Sequence, residues 1–161
     1  FFPFHFQSIK KNLLFPNHLK AIYQKILSKV LDPQTEAEIS FYTNRIDIKF
    51  QYHGDLTSLT LEVVKILVFD YAAMIASMNG TGGHPRFLLH DSPKEADMDN
   101  GLYARIFHFL TQTEQEYGPE PPFQYIITTT SPPPEDIQNS THLRCELDAI
   151  RAKGRFLRLN L

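Results

Sequence analysis

Apolar positions recur every three to four residues from Leu19 to Leu31, with Lys20, Gln24, Lys25 and Lys29 largely off the stripe. That spacing predicts an amphipathic helix, capped by Asn17 after Pro16 and ending near Asp32-Pro33. The aromatic lead before it, FFPFHFQSIKKNLLF, has no period that assigns regular structure. Alternation follows. Ile39, Phe41 and Thr43 fall on one strand face, and Ile46, Ile48, Phe50 and Tyr52 on another, with Asn44 and Arg45 between them. This pattern predicts an antiparallel hairpin. Beyond His53-Gly54-Asp55, residues 56–78 are apolar on most sides, which predicts a long buried helix capped by Asp55 or Thr57. Turn formers fill residues 79–85.

From residue 86 the pattern changes. Residues 86–90 form a short apolar run of the kind found in buried strands, and Asp91-Ser92-Pro93 ends it. Leu102, Tyr103, Ile106, Phe109 and Leu110 mark the inner face of a helix from about Asp99 to Tyr117. Residues 123–128 read as a second buried strand, and Ser131-Pro132-Pro133-Pro134 opens a short turn or helix. Strand, helix, strand over residues 86–130 is a βαβ unit, so its two strands are expected to be parallel. Leu143, Cys145 and Leu147 alternate again, as do Leu157, Leu159 and Leu161.

Composition narrows the class. The chain has 161 residues, 42% apolar and 21% charged, the balance of one ordinary globular domain. Sixteen basic and 18 acidic residues leave a net charge of −2, so no global positive field favours nucleic acid. A single cysteine, Cys145, excludes an intramolecular disulfide framework and a cysteine zinc cluster, and is expected to be a small buried residue. Glu62, Lys65 and Asp70 interrupt the longest apolar stretch, which argues against a membrane helix. The pattern of a secretory signal does not occur, so the cytoplasm is the expected location. A first residue of Phe1 rather than Met reads as a processed or excised piece of something longer.

The sharpest chemical signal is FLLHDSP, residues 87–93, where an apolar strand runs into Asp91. Ligands of open α/β sheets sit outside the carboxyl ends of the strands. An aspartate there suits a magnesium ion beside a nucleotide phosphate. No G-x-x-x-x-G-K-[ST] phosphate loop occurs, and the glycine cluster at residues 80–83 precedes a strand instead of following one. His90 and Asp91 together suggest a hydrolytic metal site, although adjacent strand residues point to opposite faces.

The order of GDLTSLTLEVVKILVFDYAAM, RFLLHDSPKEADMD, a helix and PFQYIITTT resembles the carboxyl-terminal half of an ABC-type ATPase head over roughly residues 17–161. It is most similar to SMC-like ATPases with a long coiled-coil insertion, including DNA-repair and uncharacterised bacterial ATPases whose magnesium strand ends in His-Asp-Ser. The resemblance implies an α/β fold: half of a P-loop NTPase head, mainly parallel sheet with flanking helices, preceded by a helix and a hairpin. Residues 1–161 are then a single domain. Residues 1–32 are the aromatic lead and the helix adjoining the coiled coil, and residues 33–161 are the ATPase lobe.

The same resemblance assigns roles. Asp91 organises magnesium. Ser92 stands where the family carries the glutamate that polarises water, so either Glu95 takes that role or hydrolysis is slow. Thr129 and Thr130 occupy the region of the γ-phosphate-sensing histidine. The stretch from Gly54 to Ser58 corresponds to the signature turn, where Thr57 and Ser58 would meet the nucleotide of an opposite subunit and Asp55 reads foremost as a helix cap. An acid of the dimer loop is expected seven residues after Asp91. That position is Met98, between Asp97 and Asp99. The implied cofactors are ATP and Mg2+, bound only in the intact head. The implied partners are the amino-terminal ATPase half, a second head and DNA. Two alternatives stand beside this reading: a non-catalytic interaction module of the same fold, and a small metal-dependent hydrolase using His90 and Asp91.

Overall fold

A computed structural model of the chain describes residues 4–91, 93–94, 98–139 and 141–147, with side chains from residue 15 onward. It divides into two compact units, Phe1–Ser131 and Pro132–Leu161. The first unit contains α1 (Phe4–Val30), β1 (Glu36–Phe41), β2 (Ile46–Gln51), α2 (Ser58–Met78), β3 (Phe87–Asp91), α3 (Asn100–Tyr117) and β4 (Gln124–Thr128). It is a mixed α/β domain. Among the described residues its strands form two separate pairs, β1–β2 antiparallel and β3–β4 parallel, where a mainly parallel sheet was expected.

The helix α1 starts earlier than its stripe predicts and runs through Pro16. Proline removes one backbone donor and crowds the preceding turn, so it normally marks a boundary. Here tertiary contacts hold both sides of it. His18 Nδ1 lies 2.6 Å from Thr81 Oγ1, and the Phe15 ring closes on Gly82, whose φ of +84° and missing side chain both suit the approach. Asn17 is consequently an exposed mid-helix residue and not a cap. Leu19, Tyr23, Ile26, Leu27 and Val30 are buried as the stripe requires. Gln24 then fixes the hairpin: its Nε2 donates to Thr35 O at 2.6 Å and its Oε1 accepts from Ala37 N at 2.8 Å. The hairpin pairs Ile39 with Ile48 and Phe41 with Ile46, and turns through residues 42–45, which takes Thr43 out of the strand.

Thr57, not Asp55, caps α2. Its backbone is extended and its hydroxyl accepts from Thr60 N at 3.2 Å. Thr57→Ala is therefore expected to cost about 1 kcal/mol in a denaturant titration, and Asp55→Ala much less. Equal costs at the two positions would reject the assignment. Val64, Leu67, Val68, Tyr71, Ala72 and Met74 are buried, but Leu59 and Ile66 are 54% and 59% exposed. The helix thus keeps exposed apolar residues on one side where a buried helix was expected.

The helix α3, capped by Asp99, is the crossover between β3 and β4. The parallel register pairs Leu89 with Ile126 and Asp91 with Thr128. Alternation splits the pair into two faces. Leu88, His90, Tyr125 and Ile127 lie on the more buried face, where Tyr125 bonds Tyr71 of α2. On the other face Phe87, Leu89 and Ile126 are 46%, 56% and 37% exposed.

In the second unit, Glu135–Ile137 forms one 3-10 turn and Ile137 is buried. Residues 142–147 form no strand, and Leu143, Cys145 and Leu147 are exposed. The expected burial of Cys145 is thereby corrected. Alternation marks a strand only where a neighbouring strand completes its hydrogen bonds, and among the described residues the strand pairs are β1–β2 and β3–β4 alone. Leu157, Leu159 and Leu161 lie outside the described residues.

Candidate functional site

The parallel register places the ends of β3 and β4 side by side. Asp91 is the last residue of β3, on the open face, and Thr128 Oγ1 donates to its Oδ1. Thr128 carried no role in the sequence reading, because three threonines in a row give no phase until the register is known.

Its neighbours differ. The Thr129 hydroxyl donates to Ser131 O at 2.9 Å, accepts from Ser131 N at 3.1 Å, and lies 2.9 Å from the Tyr103 hydroxyl. It therefore closes the turn after β4. Thr130 is exposed. The edge thus gathers Asp91, Thr128, Thr129 and Thr130. Ser92, Glu95 and Asp97 lie outside the described residues. Met98 is buried, and Asp99 spends its carboxylate on the α3 cap, accepting from Leu102 N at 2.9 Å.

Thr57 and Ser58 do not join this edge. Asp70, twelve residues beyond Ser58 on the same helix, touches His90. At 1.5 Å per residue the amino end of α2 lies about 18 Å along the axis from that contact. The α2 terminus and the Asp91 edge are two separate places on the chain.

Behind Asp91, on the covered face, is a polar chain that sequence reasoning missed. Asp70 Oδ2 is 2.9 Å from His90 Nε2, His90 Nδ1 is 2.8 Å from Tyr125 Oη, and Tyr125 Oη is 2.8 Å from Tyr71 Oη. A carboxylate only accepts, so Nε2 carries the hydrogen toward Asp70. In the neutral ring Nδ1 then accepts from Tyr125, and Tyr125 accepts from Tyr71. Every member is satisfied, and no described buried side-chain polar atom is left without a partner. The Tyr125 ring meets His90 edge-on at 5.3 Å and Tyr71 at 5.4 Å. Burial pushes both tyrosine hydroxyls above their ordinary range, so they remain donors at any ordinary pH. The available signal was Asp70 itself, an acid inside an apolar helix, which needs a polar partner. The choice of His90 over six other histidines needed the fold.

Cation chemistry divides accordingly. His90 and Asp91 face opposite sides of β3, and both His90 nitrogens are engaged. No cluster of three or more potential metal ligands occurs among the described residues. Among the described residues a protein-only metal cage does not fit. One carboxylate with a hydroxyl neighbour at an exposed strand end does fit magnesium, which is commonly held by one or two carboxylates plus waters and phosphate.

Fold and site together define a mixed α/β domain with a parallel strand pair, one face bare, ending in an aspartate and a run of threonines. The chain belongs to the family described as an uncharacterised protein conserved in bacteria (DUF2326), which it matches over residues 19–153. No curated protein matches it. Among the described residues no helix is long and apolar enough to cross a membrane.

Proposed function

We propose that this chain is the carboxyl-terminal lobe of an SMC-like, ABC-type ATPase head, completed by a separate phosphate-loop half. The observation that carries the reading is the bare face of β3 and β4. Parallel strands are normally covered on both faces, yet Phe87, Leu89 and Ile126 stand open beside an edge that ends in Asp91. An amino-terminal half that packs on this face, extends the sheet at its edge and supplies the phosphate cradle accounts for the open face and the missing cradle together. The lobe's likeness to such heads in element order supports the same conclusion.

In the completed head Asp91 holds magnesium, and the ion supplies charge neutralisation at the transferring phosphate. Thr128 steadies the carboxylate, and Thr130 is the hydroxyl left facing outward at that edge. Glu95 remains the proposed carboxylate for water activation in place of Ser92. The distance between the α2 terminus and the Asp91 edge supports a head dimer in which Thr57 and Ser58 serve the partner's nucleotide. DNA is a proposed partner of the assembly, in repair, maintenance or defence, in the cytoplasm.

The test compares residues 1–161 with the full-length protein by calorimetry and ATP turnover. The lobe alone is expected to show no micromolar ATP affinity, and the full-length protein to bind and hydrolyse ATP with magnesium. Tight ATP binding by residues 1–161 overturns the half-site reading. Binding without turnover by the full-length protein selects the non-catalytic module, which Ser92 at the glutamate position favours.

A further inference from the structure

Resting on the ATPase reading above, we infer that Asp70, His90 and Tyr125 are positioning residues that aim the Asp91 carboxylate at its divalent cation. Three elements meet at the His90 ring: Asp70 from α2 at Nε2, β3 itself, and Tyr125 from β4 at Nδ1. His90 immediately precedes Asp91. With hydrogen bonds on both nitrogens its ring cannot rotate freely. Successive strand side chains leave opposite faces, so fixing residue 90 on the covered face fixes how residue 91 leaves the open face. The strands are therefore clamped twice at one edge, by His90–Tyr125 behind and by Asp91–Thr128 in front.

Stability does not explain this arrangement. The His90 and Asp70 side chains are 14% and 34% exposed, so the pair is partly desolvated, and the cost of taking its charge out of water offsets much of what the contact adds to folding. Apolar residues at both positions would fill the same space without desolvating a carboxylate. What the polar chain adds is direction. Groups that orient a metal ligand from behind typically change metal affinity or activity tenfold to a hundredfold when removed.

The test uses the full-length protein with a non-hydrolysable ATP analogue and Mn2+ as the probe, free Mn2+ being read by electron paramagnetic resonance. Asp70→Leu and Tyr125→Phe keep approximate shape and each remove one hydrogen-bond partner of the His90 ring. Both are expected to weaken Mn2+ binding about tenfold or more with metal-free analogue binding close to wild type, and Tyr125→Phe, which strips the buried Tyr71 hydroxyl of its partner, is expected to lower the melting temperature by several degrees without unfolding the chain. Mn2+ affinity within twofold of wild type in either folded variant overturns the inference, and if one variant fails to fold the other decides. Asp91→Ala is the control that separates the two levels. If Asp91→Ala leaves Mn2+ binding unchanged, the magnesium role of Asp91 falls, and the ATPase reading with it.

Discussion

Asp91→Ala in the full-length protein is expected to lower magnesium-dependent ATP turnover about a thousandfold and to leave the fold intact. A metal ion at a transferring phosphoryl group contributes several kcal/mol of charge stabilisation, and each 1.36 kcal/mol is a factor of ten in rate. Asp91 is the only acidic side chain in the described β3–β4 pair, so on the proposed reading removing it takes away the carboxylate that would anchor that ion. Its structural role is small by comparison. The residue is exposed, and a solvent-exposed hydrogen bond to a carboxylate such as the one from the Thr128 hydroxyl contributes about 1–2 kcal/mol. Turnover and melting temperature should therefore part company. Thr128→Val, which removes only the hydroxyl, should give a much smaller loss of turnover. An Asp91→Ala protein that hydrolyses ATP within tenfold of wild type would remove magnesium from this edge.

The βαβ unit was legible within a residue at each boundary, and the reasons are local. Residues 86–90 and 123–128 are short apolar runs between turn formers, and Asp99 and Gly118 punctuate the helix between them. Other features depended on contacts far along the chain. The path of α1 through Pro16 rests on Thr81 and Gly82, more than 60 residues away. The pairing of Asp70 with His90 spans 20 residues, and that of Tyr71 with Tyr125 spans 54. The three threonines at 128–130 look equivalent in the sequence. Only the register separates the one that reaches Asp91 from the one that closes a turn with Ser131. The alternation at Leu143, Cys145 and Leu147 misled for the converse reason, since a strand pattern specifies a face and not a partner.

The open face gives the second large effect. Leu89 sits at its centre, paired in register with Ile126, and is more than half exposed, so a charge there meets water in the isolated chain. Leu89→Asp should leave the melting temperature of residues 1–161 within a few degrees of wild type. In the completed head the same carboxylate would be buried against apolar side chains without a partner. An unpaired buried charge costs several kcal/mol, enough to weaken docking of the two halves a hundredfold or more. The full-length variant should therefore melt in separate steps and lose ATP binding, although residue 89 touches no nucleotide. Leu88→Asp is the mirror experiment. Leu88 is 7% exposed on the covered face, so a charge there should unfold the isolated chain outright. If Leu89→Asp leaves nucleotide binding by the full-length protein unchanged, the bare face is not where the other half docks. If it destabilises the isolated chain as severely as Leu88→Asp, the face is not open at all. The contrast between two adjacent residues thus tests the orientation of β3 and the half-head proposal separately, because alternation places two leucines of the same strand on opposite faces.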